Sequence, residues 1–207
     1  MVLGLIGMSG VGKTTWARRL AEAGFVCVHC DDLIAERLRL DGTADVTTVE
    51  DMGRWMGFPW VANYHKREAG YLHHEAEILR EIAASVEHQG TTSQPLVIDM
   101  TGSAIYVDEH TQAAIQRVAT IVYLANSPAQ QAELLRAYQA KPRPVIWNGQ
   151  YLPLPHESPE DALARCYFNL IEARSVVYAA FANITLQPSQ HGNGGLSIAQ
   201  FLQLAAR

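Results

Sequence analysis

Cysteine and long apolar runs are both scarce in this 207-residue sequence. Its three cysteines, Cys27, Cys30 and Cys166, are odd in number and sparse, which fits a reducing compartment better than a disulfide framework. No apolar run approaches the ~20 residues needed to span a bilayer. The run after Met1 is too short for the apolar region and cleavage site of a signal peptide. We therefore expect a cytoplasmic protein with no membrane partner.

Basic residues are outnumbered by acidic ones. The sequence has 16 Lys and Arg residues against 21 Asp and Glu residues, a formal net charge of −5. This balance provides no general attraction to nucleic acid, so we expect no nucleic-acid partner. With 48% hydrophobic and 18% charged residues, the chain has enough apolar material for a globular core. Its length suits one domain over residues 1–207.

Cys27 and Cys30 are spaced as C-x-x-C, a pattern that also occurs in metal and redox sites. No second cysteine pair is present to complete a zinc site. The apolar run Phe25–His29 is typical of a strand, in which residues three apart point to opposite faces. We therefore expect two small thiols in the core or at a strand end.

Short apolar runs alternate with longer helical patterns along the chain. The predicted strands are Val2–Gly7, Phe25–His29, Pro95–Met100, Ala119–Leu124 and Asn183–Leu186. The predicted helices are Lys13–Ala23, Asp31–Leu40, Asn63–His88, Glu109–Gln116, Pro128–Ala140, Pro159–Ala182 and Ser197–Ala206. The first four strands are almost continuously apolar, as buried parallel strands are. This order predicts an α/β fold with helices on both faces of a parallel sheet.

Two segments interrupt this alternation. Asp41–Ala62 is rich in glycine, and Lys141–Glu157 contains four prolines. Both are long for plain connections, and long segments of this kind are often lids or binding loops. The glycine-rich stretch His191–Gly195 predicts a flexible linker to the last helix.

The segment from Gly7 to Thr14 matches the phosphate-binding pattern G-x-x-x-x-G-K-[ST]. An apolar strand precedes it and an amphipathic helix follows it, as a P-loop requires. The glycines let backbone N–H groups converge on phosphate oxygens, Lys13 reaches the β- and γ-phosphates, and Thr14 binds Mg²⁺. The predicted nucleotide-binding residues of this loop are Gly7, Ser9, Gly10, Val11, Gly12, Lys13, Thr14 and Thr15.

Asp99 ends the apolar run that begins at Leu96, which is the pattern of a carboxylate that reaches Mg²⁺ directly or through water. Alternatively, it caps a turn at the end of the strand. Asp99 and Gly102 also match the D-x-x-G pattern of GTPases. The run ending at Asn126 lacks the following Lys and Asp that would read guanine, so a GTPase is the less favoured interpretation.

These motifs resemble the shikimate kinase and nucleoside monophosphate kinase group of P-loop proteins, from the P-loop to about Ile184. The resemblance implies a three-layer α/β/α sandwich with a five-stranded parallel sheet and a lid insertion. It also implies ATP and Mg²⁺ as cofactors and γ-phosphate transfer to a hydroxyl of a small metabolite. Asp31 matches the family's carboxylate that contacts this hydroxyl. His29 replaces the family's other Asp, for which we expect Asp99 to compensate.

Further family positions are matched in order along the chain. Gly102 and Ser103 resemble part of the family's glycine-rich floor, which implies contact with the phosphoryl acceptor. Arg136 and Arg143 reproduce the spacing of two lid arginines, one near adenine and one that reaches the transferred phosphate. Arg174 resembles the arginine that binds the substrate carboxylate. The resemblance thus assigns Lys13, Asp31 and Arg143 to catalysis, residues 41–88 to acceptor binding and 136–158 to the lid.

Two departures from the family indicate a phosphoryl acceptor other than shikimate. Leu72 occupies the position of the family's second substrate arginine, within a Tyr-Leu-His-His-Glu stretch that ends at Glu75. The insertion 144–157, with Trp147 and Tyr151, is longer and more aromatic than a shikimate kinase lid requires.

Several of these residues have a simpler interpretation. Asp31 could be the N-cap of a helix that begins at Asp32, Arg143 a solvated loop cation, and Arg174 an ordinary residue on a helix face. Three histidines on the long predicted helix could bind a metal or could line the acceptor pocket and face solvent: His65, His73 and His74. Three tryptophans in the long segments could wall a pocket or fill the core: Trp55, Trp60 and Trp147.

Two other functions remain open at this stage. One is a nucleotide-binding regulatory or GTPase-like protein without an acceptor, suggested by the D-x-x-G match and by the lost substrate arginine. The other is a degenerate kinase that binds nucleotide and acts through interaction, suggested by His29. The sequence does not determine the oligomeric state.

Overall fold

A computed structural model describes residues 1–90, 94–141, 143–192 and 195–206. Pro142 of the predicted lid and residues 193 and 194 of the predicted linker lie outside the described residues. The five strands are β1 Val2–Ile6, β2 Val26–His29, β3 Leu96–Asp99, β4 Thr120–Leu124 and β5 Ile184–Leu186. They form one parallel sheet in the order β2-β3-β1-β4-β5.

Helices connect consecutive strands, as parallel pairing requires. The helices are α1 Lys13–Glu22, α2 Cys30–Leu40, α3 Val49–Met56, α4 Tyr64–Gln89, α5 Glu109–Val118, α6 Pro128–Ala140, α7 Pro159–Phe181, α8 Pro188–His191 and α9 Ile198–Ala205. No helix in the described part of the chain is long and apolar enough to cross a membrane.

The sheet is buried on both faces. Along β1, Leu3 and Leu5 pack against α1 and α9, whereas Ile6 points to the opposite core, into which α2, α4 and α7 pack. Successive strand residues point to opposite faces, so each central strand must be apolar throughout. The predicted three-layer α/β/α fold with a five-stranded parallel sheet is therefore confirmed.

One α-helix lies inside a segment that we predicted as a loop. Thr48 accepts a hydrogen bond from the backbone N–H of Asp51 and the Asp51 carboxylate accepts from the backbone N–H of Thr48, so a capping box begins α3. Gly57 ends the helix with φ +74°, a conformation that glycine adopts easily. At eight residues, α3 is short for recognition by periodicity, and Gly53 within it is a poor helix former.

A short stretch in the middle of the predicted lid is attached to α4. Trp147 and Asn148 donate their backbone N–H groups to Glu68 at 2.6 and 2.9 Å. The Tyr64 hydroxyl donates to the carbonyl of Val145 at 2.6 Å. Because Val145, Ile146 and Trp147 are buried, the stretch 145–147 is part of the core, and the exposed Asn148 is held at its edge.

The tryptophans of the two long segments fill space around this attachment. Trp147 is completely buried and packs with Tyr138 and Tyr167. Trp60 stacks on Phe58 with ring centroids 4.8 Å apart and is partly exposed. Neither tryptophan lines the cavities beside the P-loop. Of the two interpretations, the structure therefore favours core filling for Trp147.

Candidate functional site

The P-loop connects β1 to α1 and has a backbone that only glycine adopts readily. Gly7, Gly10 and Gly12 have φ values of +145°, +86° and +109°. A side chain at Gly7 would place its Cβ 2.6 Å from the carbonyl oxygen of Leu124 on β4. Helix α1 then begins at Lys13, so its positive dipole end and its free N–H groups point to the loop.

Lys13 lies inside this loop with only 9% of its surface exposed. Its ammonium donates to the carbonyls of Gly7 and Met8 at 2.9 and 3.1 Å. Burial lowers the pKa of Lys13, and the charges of Asp99 and Asp31 act in the opposite direction. The ammonium is therefore held by two backbone carbonyl oxygens of the loop.

Thr14 and Asp99 meet at the carboxyl edge of the sheet. The Thr14 hydroxyl donates to Asp99 Oδ2 at 2.8 Å, and His29 Nδ1 lies 3.0 Å from the same oxygen. Strands β2 and β3 pair His29 directly with Asp99, which explains the contact. Among the described hydrogen bonds, none joins Asp99 to a backbone N–H, so the turn-capping alternative is not supported.

This pair of oxygen ligands fits Mg²⁺. A threonine hydroxyl beside a buried carboxylate offers the hard ligands that Mg²⁺ prefers. No cluster of three or more His, Cys, Asp or Glu side chains that could hold a metal ion occurs within the described ranges. The three α4 histidines instead lie beside acidic side chains: His65 by Glu68, His73 by Glu77, and His74 by Asp41.

The cysteines of the C-x-x-C pattern are free thiols. Cys27 lies on β2 with its sulfur 3.3 Å from His29 Nε2, and burial raises its pKa to about 11. Cys30 begins α2, and its burial also raises its pKa well above the usual value. Both groups are protonated at neutral pH, so neither is a nucleophile or a metal ligand in its resting state.

Two adjoining cavities open beside the P-loop. The outer one, of about 450 Å³, is lined by Ser9, Gly10, Gly12, Lys13, Thr14, Thr15, His29, Asp31, Asp32, Val49, Glu50, Asp99 and Arg143. The inner one, of about 30 Å³, is lined by Met8, Ser9, Lys13, Asp31, Val49, Tyr71, Thr101, Gly102, Ser103, Arg143, Pro144, Val145, Ile146 and Arg174. The structure thus brings most of the predicted site residues together. Val11 instead points its side chain into the core below the loop.

Asp31 lies where the two cavities meet. It is the second residue of α2, which begins at Cys30, so the alternative of an N-cap role is wrong; His29 occupies the N-cap position, without a side-chain capping hydrogen bond. The Tyr71 hydroxyl donates to Asp31 Oδ1 at 2.9 Å. Burial raises the pKa of Asp31, and this effect is opposed by the Tyr71 hydrogen bond and by the charge of Lys13.

The three predicted arginines differ in position. Arg143 lines both cavities. Arg174 is only 3% exposed and donates to the carbonyl of Ile146 and to the hydroxyls of two tyrosines, Tyr106 at 3.3 Å and Tyr178 at 3.4 Å. It is therefore not an ordinary residue on a solvated helix face. Arg136 is exposed on α6 and lines neither cavity in the described structure.

The loop after β3 forms the floor of the inner cavity. A Cβ atom at position 102 would lie only 3.2–3.3 Å from atoms of Arg174, Tyr178 and the carbonyl of Gly7, which explains why this residue is glycine. Ser103 is buried and donates to Glu75 Oε2 at 2.6 Å. Thus the hydrogen of the Ser103 hydroxyl is used in a bond to α4.

Sequence analysis missed two residues that α4 contributes. Tyr71 contacts Asp31, and Glu75 contacts Thr101 and Ser103. Both belong to the same Tyr-Leu-His-His-Glu stretch as Leu72, the position of the lost arginine. Their spacing of four residues places them on one face of a helix, and this signal could have identified them.

A P-loop between β1 and α1 of a parallel α/β sandwich defines a P-loop nucleotide-binding domain. The sequence pattern of the AAA domain family matches residues 2–167, and the chain belongs to this family. No curated protein gave a sequence match to the chain.

Solved structures of shikimate kinases have a similar fold. The enzyme from Acinetobacter baumannii in complex with shikimate is 21% identical with a TM-score of 0.56, covering 99% of this chain and 88% of that one. The enzyme from Bacteroides thetaiotaomicron is 21% identical with a TM-score of 0.56, covering 100% and 95%. At this identity the likeness concerns the fold, which is that of the predicted kinase group.

The close packing at Gly102 gives a testable prediction. We expect Gly102→Ala to lower the free energy of unfolding by about 1–3 kcal/mol, because buried neighbours must move to admit a methyl group. Gly70→Ala on α4 is the matched control, since its Cβ would meet no atom within 4 Å. Denaturant unfolding measures both variants. Equal effects at the two positions would contradict the tight packing of the floor.

Proposed function

We propose that this protein transfers the γ-phosphate of ATP to a hydroxyl group of a small metabolite. The observation that carries the proposal is the position of Asp31, which lines both the P-loop cavity and the inner cavity. A carboxylate between a nucleotide site and a second pocket is suitably placed to contact an acceptor hydroxyl. Membership of a P-loop family and a shikimate kinase fold support phosphate transfer in general.

The outer cavity would hold the phosphates of ATP. Its volume of about 450 Å³ is typical of ligand pockets. Lys13 and the N–H groups at the start of α1 would bind the phosphate oxygens, and Thr14 and Asp99 would hold Mg²⁺. When bound, Mg²⁺ neutralises charge on the β- and γ-phosphates. In this proposal, Asp99 supplies the carboxylate that is missing at position 29, where the family has Asp and this chain has His29.

Asp31 would orient the acceptor hydroxyl and accept its proton. Tyr71 fixes one carboxylate oxygen through its hydrogen bond, which leaves the other oxygen for the substrate. The raised pKa of Asp31 makes it a better proton acceptor than a solvated carboxylate. Arg143, which also lines both cavities, would stabilise the charge on the phosphate in transit.

The burial of Arg174 supports an acceptor that carries an anionic group. A buried cation is costly unless a charge of opposite sign compensates it. No ion pair among the described residues includes Arg174. A carboxylate or phosphate on the acceptor would provide this charge. Leu72 removes the second arginine of a shikimate site, so we propose a different anionic acceptor.

The inner cavity is too small for a metabolite in this conformation. Its volume of about 30 Å³ is roughly that of one water molecule. Binding of a metabolite therefore requires Val49 on α3 or the segment around Arg143 to move. We propose that residues 41–88 and 136–158 act in this way as acceptor-binding region and lid. Within the lid, movement would be confined to residues outside 145–148, because those are fixed to α4.

The role of Asp31 gives a second prediction. We expect Asp31→Asn to lower kcat for phosphate transfer about 10²–10⁴-fold, because the amide cannot accept the proton. ATP binding should persist, since Lys13 and the P-loop are unchanged. Transfer of labelled γ-phosphate to a library of hydroxylated metabolites measures turnover, and calorimetry measures ATP binding.

Glu36→Gln, on the exposed face of the same helix, is the control and should retain wild-type turnover. If Asp31→Asn transfers phosphate at the wild-type rate, Asp31 does not have the proposed role. A preference for GTP over ATP would instead support the regulatory, GTPase-like alternative. ATP hydrolysis that no metabolite accelerates would support a degenerate kinase.

The lack of a direct ion pair at Arg174 gives a third prediction. We expect Arg174→Gln to raise the KM for the acceptor about 10–100-fold, because one charge-assisted contact is lost. The KM for ATP should differ from the wild-type value by no more than about twofold, because Arg174 does not contact the nucleotide in this proposal. Glu172→Gln on the same helix is the control, since Glu172 is exposed and lines neither cavity. Equal changes in both KM values would contradict a role in acceptor binding.

A further inference from the structure

A second buried carboxyl group lies directly behind the floor of the inner cavity. Glu75 on α4 is 1% exposed and does not line the cavity itself. Thr101 and Ser103, which do line it, donate their hydroxyl hydrogens to Glu75 Oε1 and Oε2 respectively. The proposed mechanism leaves this group unused.

The protonation state of Glu75 determines what the floor offers to a ligand. Each hydroxyl has one hydrogen and two lone pairs, and an ionised carboxylate only accepts. With Glu75 ionised, both hydrogens point to it. One lone pair of Thr101 accepts the backbone N–H of Ser103 at 3.1 Å. The remaining lone pairs of the two hydroxyls are then free to accept from the cavity.

Protonation of Glu75 allows a closed ring of hydrogen bonds among Glu75, Thr101 and Ser103. A neutral Glu75 can donate to Thr101, which donates to Ser103, which donates back to Glu75. The two hydroxyl oxygens lie 2.9 Å apart, so this ring can form without movement. The lone pairs of Thr101 are then both in use, and Ser103 retains one. The floor therefore accepts fewer hydrogen bonds from a ligand when Glu75 is neutral.

We propose that Glu75 is a positioning residue that controls the hydrogen-bond acceptors of the cavity floor, and that the phosphoryl acceptor carries a second donor group, a hydroxyl or an amine, bound by Thr101 and Ser103. This inference rests on the proposed function, because it places the acceptor in the inner cavity. It makes the proposed function more specific, because the acceptor then carries three groups: the reactive hydroxyl, an anionic group and a second hydrogen-bond donor.

Both states of Glu75 are accessible near neutral pH. Burial raises the pKa of Glu75 to about 7, against the opposing effect of the donors Ser103 and Thr101. The other ionisable groups that face it are Asp31 and Cys30 from α2, Tyr71 from α4 and Arg174 from α7. Asp31 disfavours ionisation of Glu75 and Arg174 favours it. Because donor binding selects the ionised form, ligand binding below about pH 7 releases a proton.

Infrared spectroscopy tests the carboxyl group without any ligand. We expect a protonated carboxyl band that disappears between about pH 6 and pH 8 in the wild type and is absent in Glu75→Gln. The band should persist in Glu68→Gln, the control from the same helix. Ser103→Ala should raise the midpoint by roughly one unit, because one donor to the ionised form is lost. A wild-type protein without this band would overturn the inference.

Three small acids test the effect on ligands. 3-Hydroxypropionate, glycerate and serine share a primary hydroxyl and a carboxylate, and differ in having hydrogen, hydroxyl or amine on the middle carbon. In the presence of ADP and Mg²⁺, we expect glycerate or serine to bind about tenfold tighter than 3-hydroxypropionate at about pH 8. Calorimetry should show this advantage shrinking at about pH 6, with proton release on binding.

Glu75→Gln should abolish both the advantage and its pH dependence, because the amide keeps the ring closed. Equal affinities of the three acids, or no binding of any, would overturn the inference. The proposed function is tested by a different result: it fails if labelled γ-phosphate is transferred to no hydroxylated compound in the metabolite library. The two failures are therefore distinguishable.

Discussion

The hydrogen bond from Thr14 to Asp99 joins the two parts of the molecule on which the site depends. Thr14 belongs to the first turn of α1, and Asp99 ends β3. Because β1, β2 and β3 are parallel, their carboxyl ends meet at one edge of the sheet, which is where α/β proteins bind ligands. The same edge brings His29 to Asp99 and begins the loop that carries Gly102. A shift of β3 by one residue would point Asp99 to the opposite face and remove the pair.

Burial gives the charged groups around this edge their chemical properties. Lys13, Asp31, Glu75 and Arg174 all lie in or near the inner cavity, where desolvation opposes ionisation of each. In this small space the charges of two cations and two carboxyl groups partly compensate one another. Asp31 lies toward the nucleotide cavity, while Glu75 lies behind the floor. Asp31 is bound by Tyr71 through one oxygen and can contact the substrate with the other. Glu75 is bound by two hydroxyl groups and can act on a ligand only through them.

The sequence predicted the features that follow from local patterns. Parallel strands buried on both faces must be apolar throughout, and the P-loop needs its glycines. Proline and a serine cap mark the start of α6, and its predicted bounds Pro128–Ala140 are those of the structure. Helix α3 was missed because its signal is a capping box beside a short glycine-containing turn.

The less local features could not be predicted. The role of Glu75 depends on a contact with Ser103, 28 positions away in sequence, and no periodicity encodes such a pair. The same applies to Glu68, which fixes Trp147 and makes a short stretch of the predicted lid part of the core. Arg136 matched a family spacing, yet its place on the exposed side of α6 separates it from both cavities. Spacing in sequence establishes which residues share a helix face, whereas the site is formed by contacts between helices.

The most direct test of the account is product analysis after incubation with ATP, Mg²⁺ and a library of hydroxylated anionic metabolites. Mass spectrometry distinguishes a phosphate ester from inorganic phosphate. The account predicts that one anionic hydroxy compound is converted to its phosphate ester in amounts equal to the ADP formed. Formation of inorganic phosphate alone, at a rate that no compound changes, would contradict it.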